Sequence, residues 1–445
     1  MGPTINPLER VTIVGGGLAG CEAAWQLAQR GVSVLLIEMK PQAFTPAHTS
    51  PHLAELLCSN SLKSLQLTTA TGVLKEELTL LNSIVMEVAR RHAVPAGNAL
   101  SVDRERFSTE ITERLSRHPL VRIEHRVIHS LEDIPDRPAI LATGPLTHPD
   151  LIEDLKRKTG RDVLHFYDAT SPILYADSID TDIVFRGSRY GKGGDDYLNV
   201  PLDKSHYERF VDAILKAEKV PLHPFESETY YEGCMPIEVL AERGRETLAF
   251  GPMKPVGLID PRTGKRPYAV IQLRQEDLSR ELYSMVGFQT KMTYPEQERI
   301  FRILPGLEKA EFARFGTIHR NFYLESPQIL RARLELISFP GFYLAGQITG
   351  VEGYLESTAI GLLCALFLLF PDLPPPPPTT VLGGLYRHVT TPQKKFAPMG
   401  ANWGLVVPLE IRVRRKEKKE ALAKRALEAI RNWAGKIPVH AFETE

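Results

Sequence analysis

The chain has 445 residues, enough for two or three domains with a well-buried core, and 43% hydrophobic and 24% charged residues describe an ordinary globular protein. Lys plus Arg (54) equals Asp plus Glu (54), which excludes a global field that gathers nucleic acid; a polyanionic partner must be held by a local patch. The first ten residues lack a signal-peptide core, and the longest apolar run, Ala359 to Phe370, is too short to span a bilayer and reads as a buried helix. Four cysteines, Cys21, Cys58, Cys234 and Cys364, show neither paired nor metal-like spacing, so a reduced cytoplasmic setting with no metal and no membrane partner is expected.

The chain opens on an apolar run, Val11 to Val14, that passes directly into Gly15-Gly16-Gly17-Leu18-Ala19-Gly20, then a helical pattern to Arg30 and a second apolar run ending at Glu38. This order is one β-α-β unit for a dinucleotide. Gly15 permits the tight turn, Gly17 lets a pyrophosphate approach the backbone, and Gly20 brings the helix close to the sheet. The helix start presents free N–H groups to phosphate. Glu38 stands where an acid accepts hydrogen bonds from the adenosine ribose hydroxyls, which favours FAD or NAD over a 2′-phosphorylated cofactor.

Next comes Glu55-Leu56-Leu57-Cys58-Ser59-Asn60-Ser61-Leu62-Lys63-Ser64, where Cys58 reads either as a half-buried cysteine at a helix start or as a thiol activated by backbone amides and Lys63. Gly72 to His92 and Ser101 to Arg117 are helical by pattern. Ala139 to Ala142 is a buried strand running into the turn Thr143-Gly144-Pro145, and Pro149 to Thr159 is amphipathic.

From about Tyr175 short alternating runs with many aromatics predict an inserted α+β domain. In it, Arg186 to Gly194 mixes cations, Tyr190 and glycines, as a phosphate or base clamp or as a solvated hairpin loop. Ser205 to Val220 reads as a helix. Cys234 lies between Gly233 and Met235-Pro236, an exposed bend that suits a nucleophile, with a core cysteine as the alternative. Thr247 to Leu258 reads as irregular, Tyr268 to Leu273 as a strand, and Gly287 to Thr290 and His319-Arg320-Asn321 as polar turns.

The first pattern then returns. Phe342 to Ala345 is a strand, Gly346-Gln347-Ile348-Thr349-Gly350-Val351-Glu352-Gly353-Tyr354 a glycine-rich loop, and Glu356 to Phe370 a helix whose N-terminus suits a reduced flavin's negative charge. The expected architecture is α/β, a Rossmann-like FAD-binding domain from residues 1–175 and 330–445 interrupted by an insertion domain, 176–329. A five-proline run after Leu373 reads as a stiff linker. The tail carries Arg412, Arg414, Arg415, Lys416, Lys418 and Lys419, then a helix with Leu422, Ala426, Ile430 and Trp433 on one stripe. That stripe is expected to dock, leaving the cations as a polyanion patch or merely a solvated face.

Together GGGLAGCEAA, LLCSNSLKS, SRYGKGGDDYLN, EGCMPIE, FGPMKPVGL, YAVIQLR, GFQTKM, HRNFYLESP and AGQITGVEGYLES resemble the folate- and FAD-dependent tRNA (uracil-5-)-methyltransferases, bacterial GidA-like flavoproteins, from Val11 to about Gly404. The resemblance implies that reduced FAD takes the methylene of 5,10-methylenetetrahydrofolate, passes it to carbon 5 of the T-loop uridine of tRNA and supplies the hydride that completes the methyl group. NAD(P)H restores the reduced flavin. The family's two cysteines fall on Cys58 and Cys234, and its active-site tyrosine on Tyr354. From the resemblance Cys234 is the nucleophile and Cys58 the assisting residue. The chemistry requires at least one thiolate, because addition to carbon 6 turns an inert carbon 5 into an enolate, and it requires a base for the carbon 5 proton. Gly15, Gly16, Gly17, Leu18, Ala19, Gly20 and Glu38, with Gly346, Gln347, Gly350 and Gly353, are the expected cofactor-binding residues. A monomer is expected.

Two other readings stand beside this one: a sister flavoprotein that modifies the tRNA wobble uridine, and a non-catalytic flavin-stabilised RNA-binding factor. A disulfide reductase is disfavoured by the lack of a Cys-X-X-Cys or Cys-X-X-X-X-Cys pair.

Overall fold

A computed structural model describes residues 8–191, 194–221, 230 and 232–438. The apolar runs near the N-terminus form parallel strands buried on both faces. They belong to a five-stranded sheet in the spatial order Phe342–Leu344, Ala139–Leu141, Arg10–Val14, Ser33–Glu38, Val121–His125. Ile13 lies opposite both Leu36 and Ile140, and Leu344 opposite Leu141. Arg10–Val14 sits where successive strands depart to opposite sides, so Gly15 to Gly17 occupy the topological switch point where open parallel sheets bind ligands.

Helix Leu18–Ala28 packs along helix Tyr354–Leu369, which contains the long apolar run and is buried. Their approach is set by a small residue: a Cβ on Gly361 would lie 2.2 Å from the Ala19 carbonyl oxygen. The region expected to form one helix from Gly72 to His92 is two, Ala70–Leu80 and Ile84–Arg91. Asn82 has φ 57°, and the Ser83 hydroxyl caps the second helix at the Met86 amide. Likewise the Ser101 to Arg117 segment begins as the strand Ala99–Val102, and Asp103 caps the helix Arg104–Arg117.

The inserted body is a six-stranded antiparallel sheet in the order Phe185–Arg186, Tyr197–Leu202, Ala269–Gln275, Leu282–Met285, Ile173–Tyr175, Phe312–Arg314. It has its own core, in which the rings of Phe210, Phe288 and Phe301 lie 6.1–6.2 Å apart. Strands Leu164–Ala169 and Ile318–Tyr323 pair antiparallel as a ribbon carrying the chain out and back, with His319 opposite Asp168. His319-Arg320-Asn321 is therefore strand, not turn.

The proline run, expected as a stiff linker, is a packed buttress. The Trp433 indole donates to the Pro374 carbonyl (2.8 Å), the Val407 amide to that of Pro378 (3.1 Å), and the Thr380 amide to that of Pro377 (2.9 Å). The tail helix, Lys418–Ala434, buries Leu422, Ala426, Ile430 and Trp433 and rests on helix Ala70–Leu80. Arg414, Arg415, Lys418 and Lys419 are exposed.

Candidate active site

A cavity of about 430 Å³ lies at the C-terminal edge of the parallel sheet, between the two bodies. Of the glycine-turn residues, Gly15, Gly17, Leu18 and Ala19 line it, together with Glu38; of the later loop, Gly346, Gln347, Gly353 and Tyr354 do so. The glycines divide by role. Gly15 has φ 103°, and a Cβ there would meet the Ala142 carbonyl at 2.5 Å. A Cβ on Gly20 would lie 1.9 Å from the Gly15 oxygen, so Gly20 is a close-packing residue outside the cavity wall. Gly17 is different: nothing lies within 4 Å of a Cβ there. That open backbone sits at a helix N-terminus without a side-chain cap, and this fits a dinucleotide pyrophosphate. The Glu38 carboxylate accepts from the Gly16 amide (2.6 Å) and the Lys40 amide (3.0 Å), fixing the acid at the cavity edge. Gly16 and Gly350 stand outside the lining; Gly350 instead makes room for the Phe396 ring, 2.3 Å from where its Cβ would be.

Cys58, Cys234 and Tyr354 share this cavity although their positions span nearly 300 residues. The sulfurs of Cys58 and Cys234 and a carboxylate oxygen of Asp168 all lie within 4.8 Å of one another. Cys58 sits in a braced loop. The Tyr354 hydroxyl oxygen accepts from the amides of Cys58 (2.8 Å) and Ser59 (3.2 Å). Arg104 donates to the Leu56 carbonyl (2.8 Å) and, from the inserted body, Arg314 donates to that of Leu57 (2.8 Å). Asn60 joins the bodies: its amide donates to Val102 O (3.0 Å) and Gln275 O (2.9 Å), and Arg274 donates to its oxygen (2.7 Å). Such buried bonds between a charged donor and a fixed acceptor are worth about 1.5–3 kcal/mol each.

The groups around the sulfurs share a low-dielectric pocket. Asp168 is raised to about 6 by burial, against hydrogen bonds from Cys234 and Asn321 that favour its charged form. Glu352, which accepts from the Gln347 amide, is pushed well above the usual carboxylate range by burial and by the Asp168 charge. The Cys234 thiol is raised by its hydrogen bond with Cys58, by burial and by nearby negative charge. Burial, then Arg314, lowers His319 to about 4.

Asp168, Asn321, His319, Thr170, Gln289 and Glu352 line the cavity as well, and sequence reasoning did not single them out as site residues. Conversely, Arg189 of the suspected clamp loop is turned inward, donating to Gln272 Oε1 (2.8 Å) and the Val256 carbonyl (3.1 Å). Tyr190 of that loop is exposed, and Lys192 and Gly193 lie outside the described residues. Cys21 and Cys364 are buried core residues.

The parallel sheet with its glycine switch point, joined to an antiparallel insert, is the fold of the GidA-type flavoproteins. Aquifex aeolicus GidA in its form II crystal superposes with a TM-score of 0.66 at 15% identity, covering 96% of this chain and 74% of that one. The glucose inhibited division protein A family matches residues 10–369. The methylenetetrahydrofolate–tRNA-(uracil-5-)-methyltransferase TrmFO of Geobacter sulfurreducens is 53% identical over 439 residues, 96% of this chain and 99% of that protein. The protein of the same name from Geotalea uraniireducens is 54% identical over 437 residues, 96% and 98%. The chain belongs to the glucose inhibited division protein A family and, within it, to the group of these methyltransferases.

Proposed function

We propose that this protein forms 5-methyluridine in the T-loop of tRNA, taking its carbon from 5,10-methylenetetrahydrofolate. FAD, bound at the glycine turn, supplies the carbon-carrying and hydride-donating chemistry that the side chains lack. The reading is carried by one observation: the wall that offers Gly17 and a free helix N-terminus also holds the two sulfurs of Cys58 and Cys234, with Asp168, within 4.8 Å.

That arrangement, with the family resemblance for the order of the two cysteines, supports the following roles. Leu18 and Ala19 at the helix N-terminus, with Gly15 and Gly17, receive the pyrophosphate, and Glu38 the ribose. The N-terminus of helix Tyr354–Leu369, whose cap residue Gly353 contributes no side-chain bond, faces negative charge on the reduced ring. Cys234 adds through sulfur to carbon 6 of the uracil, and Cys58 assists from the braced loop that Tyr354 holds. The cleft between the bodies keeps water from a reactive one-carbon unit. NAD(P)H restores the reduced flavin, the exposed cations at Arg414, Arg415, Lys418 and Lys419 contact tRNA, and a cytoplasmic monomer is the working form. Among the described residues no helix is long and apolar enough to cross a membrane.

Label should pass from the methylene of methylenetetrahydrofolate to carbon 5 of the T-loop uridine of a tRNA transcript, dependent on NAD(P)H. Transfer from S-adenosylmethionine instead, or label in the anticodon wobble uridine, would reject the reading.

A further inference from the structure

One buried acid beside the two sulfurs has no chemical role in the reading of Cys234 as nucleophile. Asp168 is the penultimate residue of strand Leu164–Ala169, and its side chain reaches the gap between the two cysteines. Its Oδ1 is sealed from solvent and makes no hydrogen bond of normal geometry, while Cys234, the Ala169 amide and Asn321 stand near enough to the carboxylate to favour its charged form. A buried carboxylate oxygen left without a donor costs stability, and sites that keep such a group commonly use it. In the cluster of Cys58, Asp168 and Cys234, whose sulfurs and carboxylate oxygen lie within 4.8 Å of one another, Asp168 is the oxygen base.

We propose that Asp168 is the general base for the Cys234 thiol. This rests on the reading of Cys234 as nucleophile. As sulfur adds, the S–H bond breaks and the S–C6 bond forms. The C5=C6 electron pair moves onto carbon 5 and oxygen 4, and the thiol proton goes to a carboxylate oxygen of Asp168. At the end of the cycle the C5–H bond breaks, its proton passing to solvent, the C5=C6 bond re-forms as the C6–S bond breaks, and the departing thiolate recovers the proton held by Asp168, so acid and thiol return to their starting forms. Proton transfer must accompany addition. A carboxylate near 6 beside a thiol raised by burial and negative charge does not generate free thiolate beforehand. The other titratable groups facing Asp168 are Cys58, Glu352 and, from the paired strand, His319. His319, lowered to about 4, is neutral at the working pH.

The test uses full-length holoenzyme loaded with methylenetetrahydrofolate and NADPH, and a tRNA transcript carrying 5-fluorouridine. Fluorine cannot leave carbon 5 as a cation, so the protein–RNA adduct is trapped and counted on a denaturing gel in a single turnover. Wild-type protein should trap at a rate that rises with pH through an inflection near 6. Asp168→Asn should trap about a hundredfold or more slowly, with that inflection gone, while FAD content and tRNA affinity stay at wild-type levels. Asp168→Glu should recover part of the rate, and Glu352→Gln should keep the inflection. A wild-type rate in Asp168→Asn overturns the proposal. So does a flat wild-type profile between pH 5 and 7.5, a readout that stands even if Asp168→Asn does not fold. An adduct that still forms in Cys234→Ala instead removes the underlying reading of Cys234, a distinguishable failure.

Discussion

Two neighbouring glycines make opposite predictions from the same glycine turn. Gly17 has φ −74° and ψ −174°, a conformation open to any residue, and its Cβ position is empty to 4 Å. Gly17→Ala should therefore stabilise the cofactor-free protein slightly, by about 0.4–1 kcal/mol, through the unfolded state. The added methyl fills the space assigned to the pyrophosphate. Losing one hydrogen bond to a charged oxygen, about 1.5–3 kcal/mol, weakens FAD binding roughly ten- to a hundredfold. Gly20→Ala places its methyl 1.9 Å from the Gly15 oxygen, so the helix must move off the strand at a cost of about 1–3 kcal/mol or more. Both variants are to be stripped of flavin, followed by thermal denaturation and titrated with FAD by flavin fluorescence quenching. The expected result is a stable Gly17→Ala apoprotein with poor FAD affinity and an unstable Gly20→Ala apoprotein. Wild-type FAD affinity in Gly17→Ala would refute the assignment of the pyrophosphate to this turn.

Other perturbations address separate parts of the molecule. Tyr354→Phe removes the acceptor of the Cys58 and Ser59 amides, so methyl transfer should fall at least about tenfold with FAD content retained; normal turnover would remove Tyr354 from the site. Replacing Arg414, Arg415, Lys418 and Lys419 with Gln should weaken tRNA binding and flatten the slope of log affinity against log salt by up to about three, and an unchanged slope would leave these cations a solvated face. Glu77 accepts from the Val381 (2.9 Å) and Leu382 (2.8 Å) amides at the start of helix Val381–Thr390. Glu77→Ala strands both donors and should cost about 2–4 kcal/mol in urea unfolding, without changing flavin absorbance in the folded protein. An equal loss in Glu76→Ala, at a half-buried neighbour that pairs with Arg90, would show that the cap is not the cause.

What the sequence makes legible follows the range of the interactions. The β-α-β unit is local, with strand, turn and helix within thirty residues, and its glycines carry their reasons in their spacing. The tail helix is similar, because one stripe of four apolar residues suffices to foretell its docked face. The helix break at Asn82 is less visible, since it depends on a distant partner: the Gln26 amide, on another helix, takes up the Leu81 and Asn82 carbonyls at 3.2 Å. Asp168 is hidden for the same reason. It belongs to an unremarkable strand, and its meaning comes from Cys58, Cys234 and Asn321, each more than 60 residues away. His319 to Asn321 shows the matching error: three polar residues look like a turn until their pairing with Leu164–Ala169 is known. By sequence the Arg189 loop reads either as a phosphate or base clamp or as a solvated hairpin loop, because a sequence cannot show that a cation is already committed to oxygens of its own chain. The cysteine roles came from family resemblance, and spacing alone would not have ordered them.

The most direct test of the central claim is a crystal structure of the protein with FAD bound. The account predicts the pyrophosphate on the Leu18 and Ala19 amides and the flavin ring against the cleft wall that holds Cys58, Cys234 and Tyr354. A ring seated elsewhere, with neither sulfur able to reach a base stacked on it, would contradict the account.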